Sequence, residues 1–138
     1  MKTFRILSLL FVTSLFITTA CKKKEVEQTE NLIQTGILGK WKLDMRLVNN
    51  ISDLAIRCCD TLNFMTDSNI ADFKGDFKAT GVGYETDGIF TLNPTANTIQ
   101  FDYNNKQIIY TFQLSVNRIT FEYIEDEQEI EESWMKVD

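Results

Sequence analysis

From Gly36 onward the chain alternates. In Lys40-Trp41-Lys42-Leu43-Asp44-Met45-Arg46-Leu47 the apolar Trp41, Leu43, Met45 and Leu47 interleave with four charged residues. That period of two predicts a strand with one buried and one wet face. The alternation returns in short runs, predicting strands over residues 62–66, 70–74, 82–86, 88–92, 98–103, 107–114, 118–124 and 129–137. Between them stand Asp67-Ser68-Asn69, Gly75-Asp76, Asp87-Gly88, Asn93-Pro94-Thr95-Ala96-Asn97, Asn104-Asn105 and Ser115-Val116-Asn117. These residue types favour turns through positive φ, fixed φ or side-chain bonds to the backbone. Residues 49–60 break the pattern, with Ser52-Asp53 placed to cap a short helix through Arg57. Short strands with tight turns and no crossover helices indicate an all-β, antiparallel up-and-down meander of eight to nine strands. Closure into a barrel removes exposed edges and is the expected outcome; a two-sheet β-sandwich is the alternative.

The N-terminus follows a different rule. Two positive charges, Lys2 and Arg5, precede fifteen uncharged residues from Ile6 to Ala20, and Cys21 follows. A basic start and a short apolar run predict a secretory signal peptide over residues 1–20. At about 1.5 Å per helical residue the run covers roughly 22 Å, short of a hydrocarbon core of roughly 30 Å, so a permanent span is the weaker reading. Thr18-Thr19-Ala20-Cys21, followed at once by Lys22-Lys23-Lys24-Glu25, resembles a bacterial lipoprotein box of the looser Bacteroidota type, with Ile17 serving for the usual Leu. The resemblance implies that Cys21 is a lipid attachment site. Its thiol would take a diacylglycerol, and its new amino group an acyl chain such as palmitate. An ordinary cleavage after Ala20 is the alternative. Several acyl chains at roughly 0.8 kcal/mol per buried methylene hold a protein stably at a membrane.

Residues 21–35 read as a lipidated tether, polar and free of aromatics, with one helical turn around residues 30–33. The expected location is the cell envelope, with the lipid in the outer membrane. Surface-export signals of Bacteroidota lipoproteins place acidic residues first, whereas here three lysines precede Glu25 and Glu27. Both faces stay open, with a lean to the periplasmic one.

Charge and composition narrow the chemistry. The chain of 138 residues has 14 Lys and Arg against 20 Asp and Glu, no His, and a net charge of −6. Loss of Lys2 and Arg5 with the signal leaves 12 basic against 20 acidic residues, or −8. Nucleic-acid affinity rests on basic charge, so no nucleic-acid partner is expected. Without His, most zinc sites and the usual general base are gone. No Ser or Cys nucleophile has a candidate base and no Gly-rich phosphate loop occurs, so no enzyme, cofactor or metal is read here. Asp67-Ser68-Asn69 begins like a calcium loop, but Ala71 takes the third ligand position and a turn is the better reading. The acidic stretch from Glu122 to Glu132 reads as a solvated hairpin. Cys58-Cys59 are adjacent, able to form a strained vicinal disulfide, to pair between chains or to stay reduced.

Gly39-Lys40-Trp41, opening the first strand, is similar to the G-x-W that begins lipocalins. The layout of signal, cysteine, short tether, Gly39 to Leu43, Cys58-Cys59 ahead of Phe64, then Gly83, Asp87-Gly88 and Leu92 resembles the lipocalin-like domain of small Bacteroidota-type lipoproteins. The likeness covers nearly all of residues 36–138. It implies a lipocalin-like barrel that binds a small hydrophobic ligand or a protein partner in the envelope. It also implies a late-strand basic residue over Trp41, for which Arg118 and Lys136 are the candidates.

The barrel interior is expected to take Trp41, Leu43, Met45, Leu47, Leu62, Phe64, Tyr84, Phe90, Leu92, Ile99, Phe101, Tyr103, Ile108, Tyr110, Phe112, Leu114, Ile119, Phe121 and Tyr123. Such bulk favours a filled or narrow core. If a pocket is present it should be apolar, with the hydroxyls of Tyr84, Tyr103, Tyr110 and Tyr123 as its polar contacts. The reading is thus an anchored ligand-binding barrel; a solid-core accessory lipoprotein acting through its outer surface is the alternative.

Overall fold

The computed structural model describes residues 31–54, 59–69 and 71–137. The signal segment, Cys21, most of the tether and Cys58 lie outside the described residues. The elements are α1 (Leu32–Thr35), β1 (Gly39–Val48), β2 (Ile51–Ser52), β3 (Thr61–Thr66), β4 (Lys74–Gly81), β5 (Tyr84–Asn93), β6 (Thr98–Tyr103), β7 (Lys106–Leu114), β8 (Arg118–Glu125) and β9 (Gln128–Val137). From β3 to β9 each strand pairs antiparallel with the next, and β1 pairs with both β3 and β9. Eight strands therefore close an up-and-down barrel, and β2 extends it as a short extra strand on β1.

The two ends of the barrel differ. At one end the hairpins turn through Asn49-Asn50 (φ 51° and 63°), Asn104-Asn105 (49° and 59°) and Asp126-Glu127 (49° and 64°). Left-handed backbone at both central residues is the hairpin geometry that matches strand twist, and Asn and Asp tolerate it best. Val82-Gly83, Asp53 and Asp60 lie at this same end, the mouth. At the other end, the base, the chain enters through α1. Asn31 and Gln34 cap this turn reciprocally, and Gly36 (φ 79°) ends it. The turn lies slightly later than residues 30–33. It lays Leu32 and Ile37, both fully buried, against the base of the core. Trp41 donates its indole N–H to Ile37 O at 2.8 Å. Lys136 stands directly opposite Trp41 in the β1–β9 register, its Nζ 5.2 Å from the ring and donating to Gly36 O at 2.9 Å. Of the two basic candidates Lys136 is the one over Trp41; Arg118 bonds instead to Ser133 Oγ and pairs with Asp44 on the outer face.

Several expectations are corrected. Gly75-Asp76 and Asp87-Gly88 are not turns but lie inside β4 and β5. Residues 82–86 and 88–92 consequently belong to one strand, except for a turn at Val82-Gly83. The strand expected at 70–74 starts only at Lys74; the preceding loop is held by Asp67, Asn69 and Asp72 accepting from backbone N–H groups two residues on. The glycines sit in strands because large rings occupy the space a Cβ would need. Gly75 faces Phe90, Gly88 faces Phe77 and Gly81 faces Tyr84 across adjacent strands. Ser52 belongs to β2 and pairs with Leu47 of β1; the short helix expected through Arg57 falls on residues 55–58, which lie outside the described residues.

Met45 and Leu47 are also corrected. The β1–β9 register shifts between Leu43 and Met45, so Asp44 is an extra residue and alternation changes phase after it. Met45 turns outward, 37% exposed, and Leu47 pairs with Glu131 rather than with a core residue. Arg46 turns inward instead, its side chain only 11% exposed.

Candidate functional site

The interior is solid at the base and hollow at the mouth. Trp41, Phe64, Phe90, Leu92, Ile99 and Ile119 fill the lower half, and the Phe64 ring meets Phe90 edge-on at 4.8 Å. Above them lies a chamber of about 320 Å³. Its floor and walls include Leu62, Phe77, Phe101, Phe121 and Trp134, all nearly buried. The hollow follows from side-chain size. Near the base β4 and β5 project Phe77, Phe90 and Leu92, whereas near the mouth they project the cross-strand pair Ala79 and Thr86. Of the expected filled or narrow core, the lower half is filled and the upper half holds the chamber.

All four tyrosines of the chain, Tyr84, Tyr103, Tyr110 and Tyr123, line this one chamber. Tyr110 and Tyr123 stack nearly parallel, 4.1 Å between centroids at 15°. Tyr103 stands edge-on to Phe77 at 6.0 Å. Tyr84, 45% exposed, is at the rim rather than inside. Burial raises the phenols of Tyr110 and Tyr123 above their ordinary range, and the charge of Glu132 adds to both shifts. Both are neutral hydroxyls at physiological pH.

The alternation left out a charged network at the wall. Arg46 Nη1 lies 3.1 Å from Asp53, Nη2 2.7 Å from Glu125, and Nε 3.3 Å from Glu132 Oε1. The last contact is coulombic only, because the buried Nε–H is not aligned on that oxygen. Glu132 Oε1 accepts from the Tyr123 hydroxyl at 3.0 Å, and Oε2 from the Trp134 indole at 3.3 Å. Burial works against the Arg46 charge, but Tyr123, Asp53 and Glu132 overcome it and hold the guanidinium above its ordinary pKa. Glu132, Glu125 and the buried Asp60 line the chamber. Glu132 is thus not part of a solvated hairpin. The signal for it was present: Ile130 and Trp134 are apolar and four apart, which puts Glu132 between them on the inner face.

A larger concavity of about 480 Å³ on the mouth side of β8 and β9 is lined by the exposed Asn50, Thr111, Glu122, Ile124 and Glu129 together with Tyr123, Ile130 and Glu131. Its lining is mostly exposed, whereas the tyrosine chamber, also open at the mouth, has buried rings in its walls. Cys59 is exposed in the connection before β3; its neighbour in the disulfide expectation, Cys58, lies outside the described residues. No protein-family model matches the chain, and no curated protein is similar to it in sequence.

Proposed function

We propose that the protein is a lipid-anchored envelope protein whose lipocalin-like barrel takes a small hydrophobic ligand into the tyrosine-lined chamber. The observation that carries this reading is the half-filled interior. Protein cores are close-packed, and voids larger than a water molecule are destabilising. A chamber of about 320 Å³ ringed by aromatic side chains lies within the usual size of small-molecule sites, roughly 300–1,000 Å³. A solid-core accessory protein fits the base but gives no account of the hollow above it. The Gly39-Lys40-Trp41 opening and the Lys136 ammonium over Trp41 support the lipocalin-like part of the reading. The test uses the neutral dye N-phenyl-1-naphthylamine, whose emission rises on entering an apolar site. The protein should bind it, and Ala79→Phe, which adds a ring to the chamber wall, should abolish binding with little loss of thermal stability. Unchanged dye binding in a folded Ala79→Phe protein would refute the chamber as the site.

A further inference from the structure

We infer that the chamber holds a neutral ligand by a carbonyl oxygen, a ketone, ester or amide group that accepts from the Tyr110 and Tyr103 hydroxyls. This rests on the reading of the chamber as a binding site and adds the group that its ligand presents. The polar side chains of the chamber are sorted by wall. On β8 and β9 they are spent on one another: the Tyr123 hydroxyl and the Trp134 indole both donate to Glu132, and Arg46 lies against Glu132 and pairs with Glu125. Asp60 is engaged as well. No Lys or Arg is among the described residues that line the chamber. Among these residues a charge of either sign would find no uncommitted counter-charge, and burying an unpaired charge is costly. A neutral ligand meets no such cost.

The facing wall is different. Thr86 on β5, Tyr103 on β6 and Tyr110 on β7 line the same chamber from three consecutive strands. Among the described residues none of these hydroxyls has a hydrogen-bond partner; Tyr103 and Tyr110 are held by contacts of their rings. Tyr110 sits deeper, opposite Ile99 of β6, and Tyr103 stands next to the turn at the mouth. The charge Tyr103 would carry on ionising pushes the Tyr110 phenol upward, so the two hydroxyls face one space. Burial keeps Tyr110 protonated, and a phenol donates more strongly than it accepts because its lone pair is drawn into the ring. The complement of such donors is a neutral acceptor, of which the carbonyl oxygen is the commonest strong one. A few donors in otherwise apolar walls are what fix a ligand's orientation.

Three probes of one shape separate the carbonyl from size and charge: acetophenone, its alkene isostere α-methylstyrene, and the anion benzoate, each used to displace N-phenyl-1-naphthylamine from the intact folded protein. Acetophenone is the better hydrated of the two neutral probes, so a purely apolar chamber would favour the alkene. With the hydroxyls engaged the ketone should bind at least as tightly as the alkene, and benzoate more weakly than either. Tyr110→Phe and Tyr103→Phe, which remove a hydroxyl and keep the ring, should each weaken acetophenone about five-fold, the scale of one hydrogen bond, and leave α-methylstyrene unchanged. Equal changes for ketone and alkene in both folded variants, including no change in either, overturn the assignment to these hydroxyls. Tighter binding of α-methylstyrene or benzoate than of acetophenone overturns the carbonyl inference while leaving a binding chamber, as does bound dye that none of the three displaces. Failure of the dye itself to bind overturns the chamber reading.

Discussion

Arg46 joins the strand that opens the barrel to the chemistry of its chamber. Its guanidinium ties β1 to Glu132 on β9, to Glu125 at the end of β8 and to Asp53 in the following connection. The tyrosines behind this network are shielded from water, which yields a pH prediction. Tyr110 and Tyr123 have folded-state pKa values raised by burial above the ordinary value near 10. The unfolded chain therefore releases these protons first, so their contribution is intact below about pH 10 and is lost as pH rises beyond it. Urea midpoints should be level, as far as these groups are concerned, between pH 8 and 9.5 and fall above pH 10. Phenolate absorbance from these two rings should appear together with unfolding, and Tyr110→Phe should lessen the fall. Titration of all four tyrosines near pH 10 in protein that stays folded would contradict it. The tyrosines were legible because Tyr103, Tyr110 and Tyr123 each keep phase with apolar neighbours on the same strand. Arg46 was not, because its inward position depends on a backbone irregularity rather than on its own chemistry.

That irregularity belongs to the strand. The run from Trp41 to Leu47 alternates without a flaw, so the insertion of Asp44 leaves no mark in the hydrophobic pattern, and a bulge is visible only when the partner register is known. Arg118 Nη2 lies 3.3 Å from Asp44 on the outer face, and its Nη1 donates to the buried Ser133. The bulge is thus braced across three strands. Glycine was ambiguous for a different reason. The Asn-Asn doublet at 104–105 reads correctly as a turn because those residues tolerate left-handed backbone. Gly75 and Gly88 look the same in sequence yet serve as gaps into which rings fit. A Cβ on Gly88 would run into Asp102 O, with Tyr103 Cβ at 2.9 Å and the Phe77 ring at 3.0 Å. Gly88→Ala should destabilise by about 1–3 kcal/mol, the usual cost of overpacking. Gly83, by contrast, has open space and a φ of 82° that Asn also adopts. Gly83→Asn should change the denaturation midpoint little, and equal losses in the two variants would show that ring packing is not what Gly88 provides.

At the scale of the whole molecule the barrel has a direction. The chain enters at the base, where Leu32, Ile37, Trp41 and Lys136 close the barrel, while the chamber opens among the hairpins at the opposite end. A lipid on Cys21, with a tether joining the body at Asn31, would hold the base toward the bilayer and leave the mouth facing water. Anchoring and binding are then separable. Cys21→Ser should move the protein from the membrane fraction to the soluble one, and persistence on membranes after a carbonate wash would rule out lipidation as the anchor. The released protein should bind N-phenyl-1-naphthylamine with the affinity of the anchored form, because the chamber opens at the end of the barrel opposite the point of chain entry. If affinity instead falls on release while the melting temperature holds, the membrane itself contributes to the site. In that case the mouth, and not the base, would be the end that meets the bilayer.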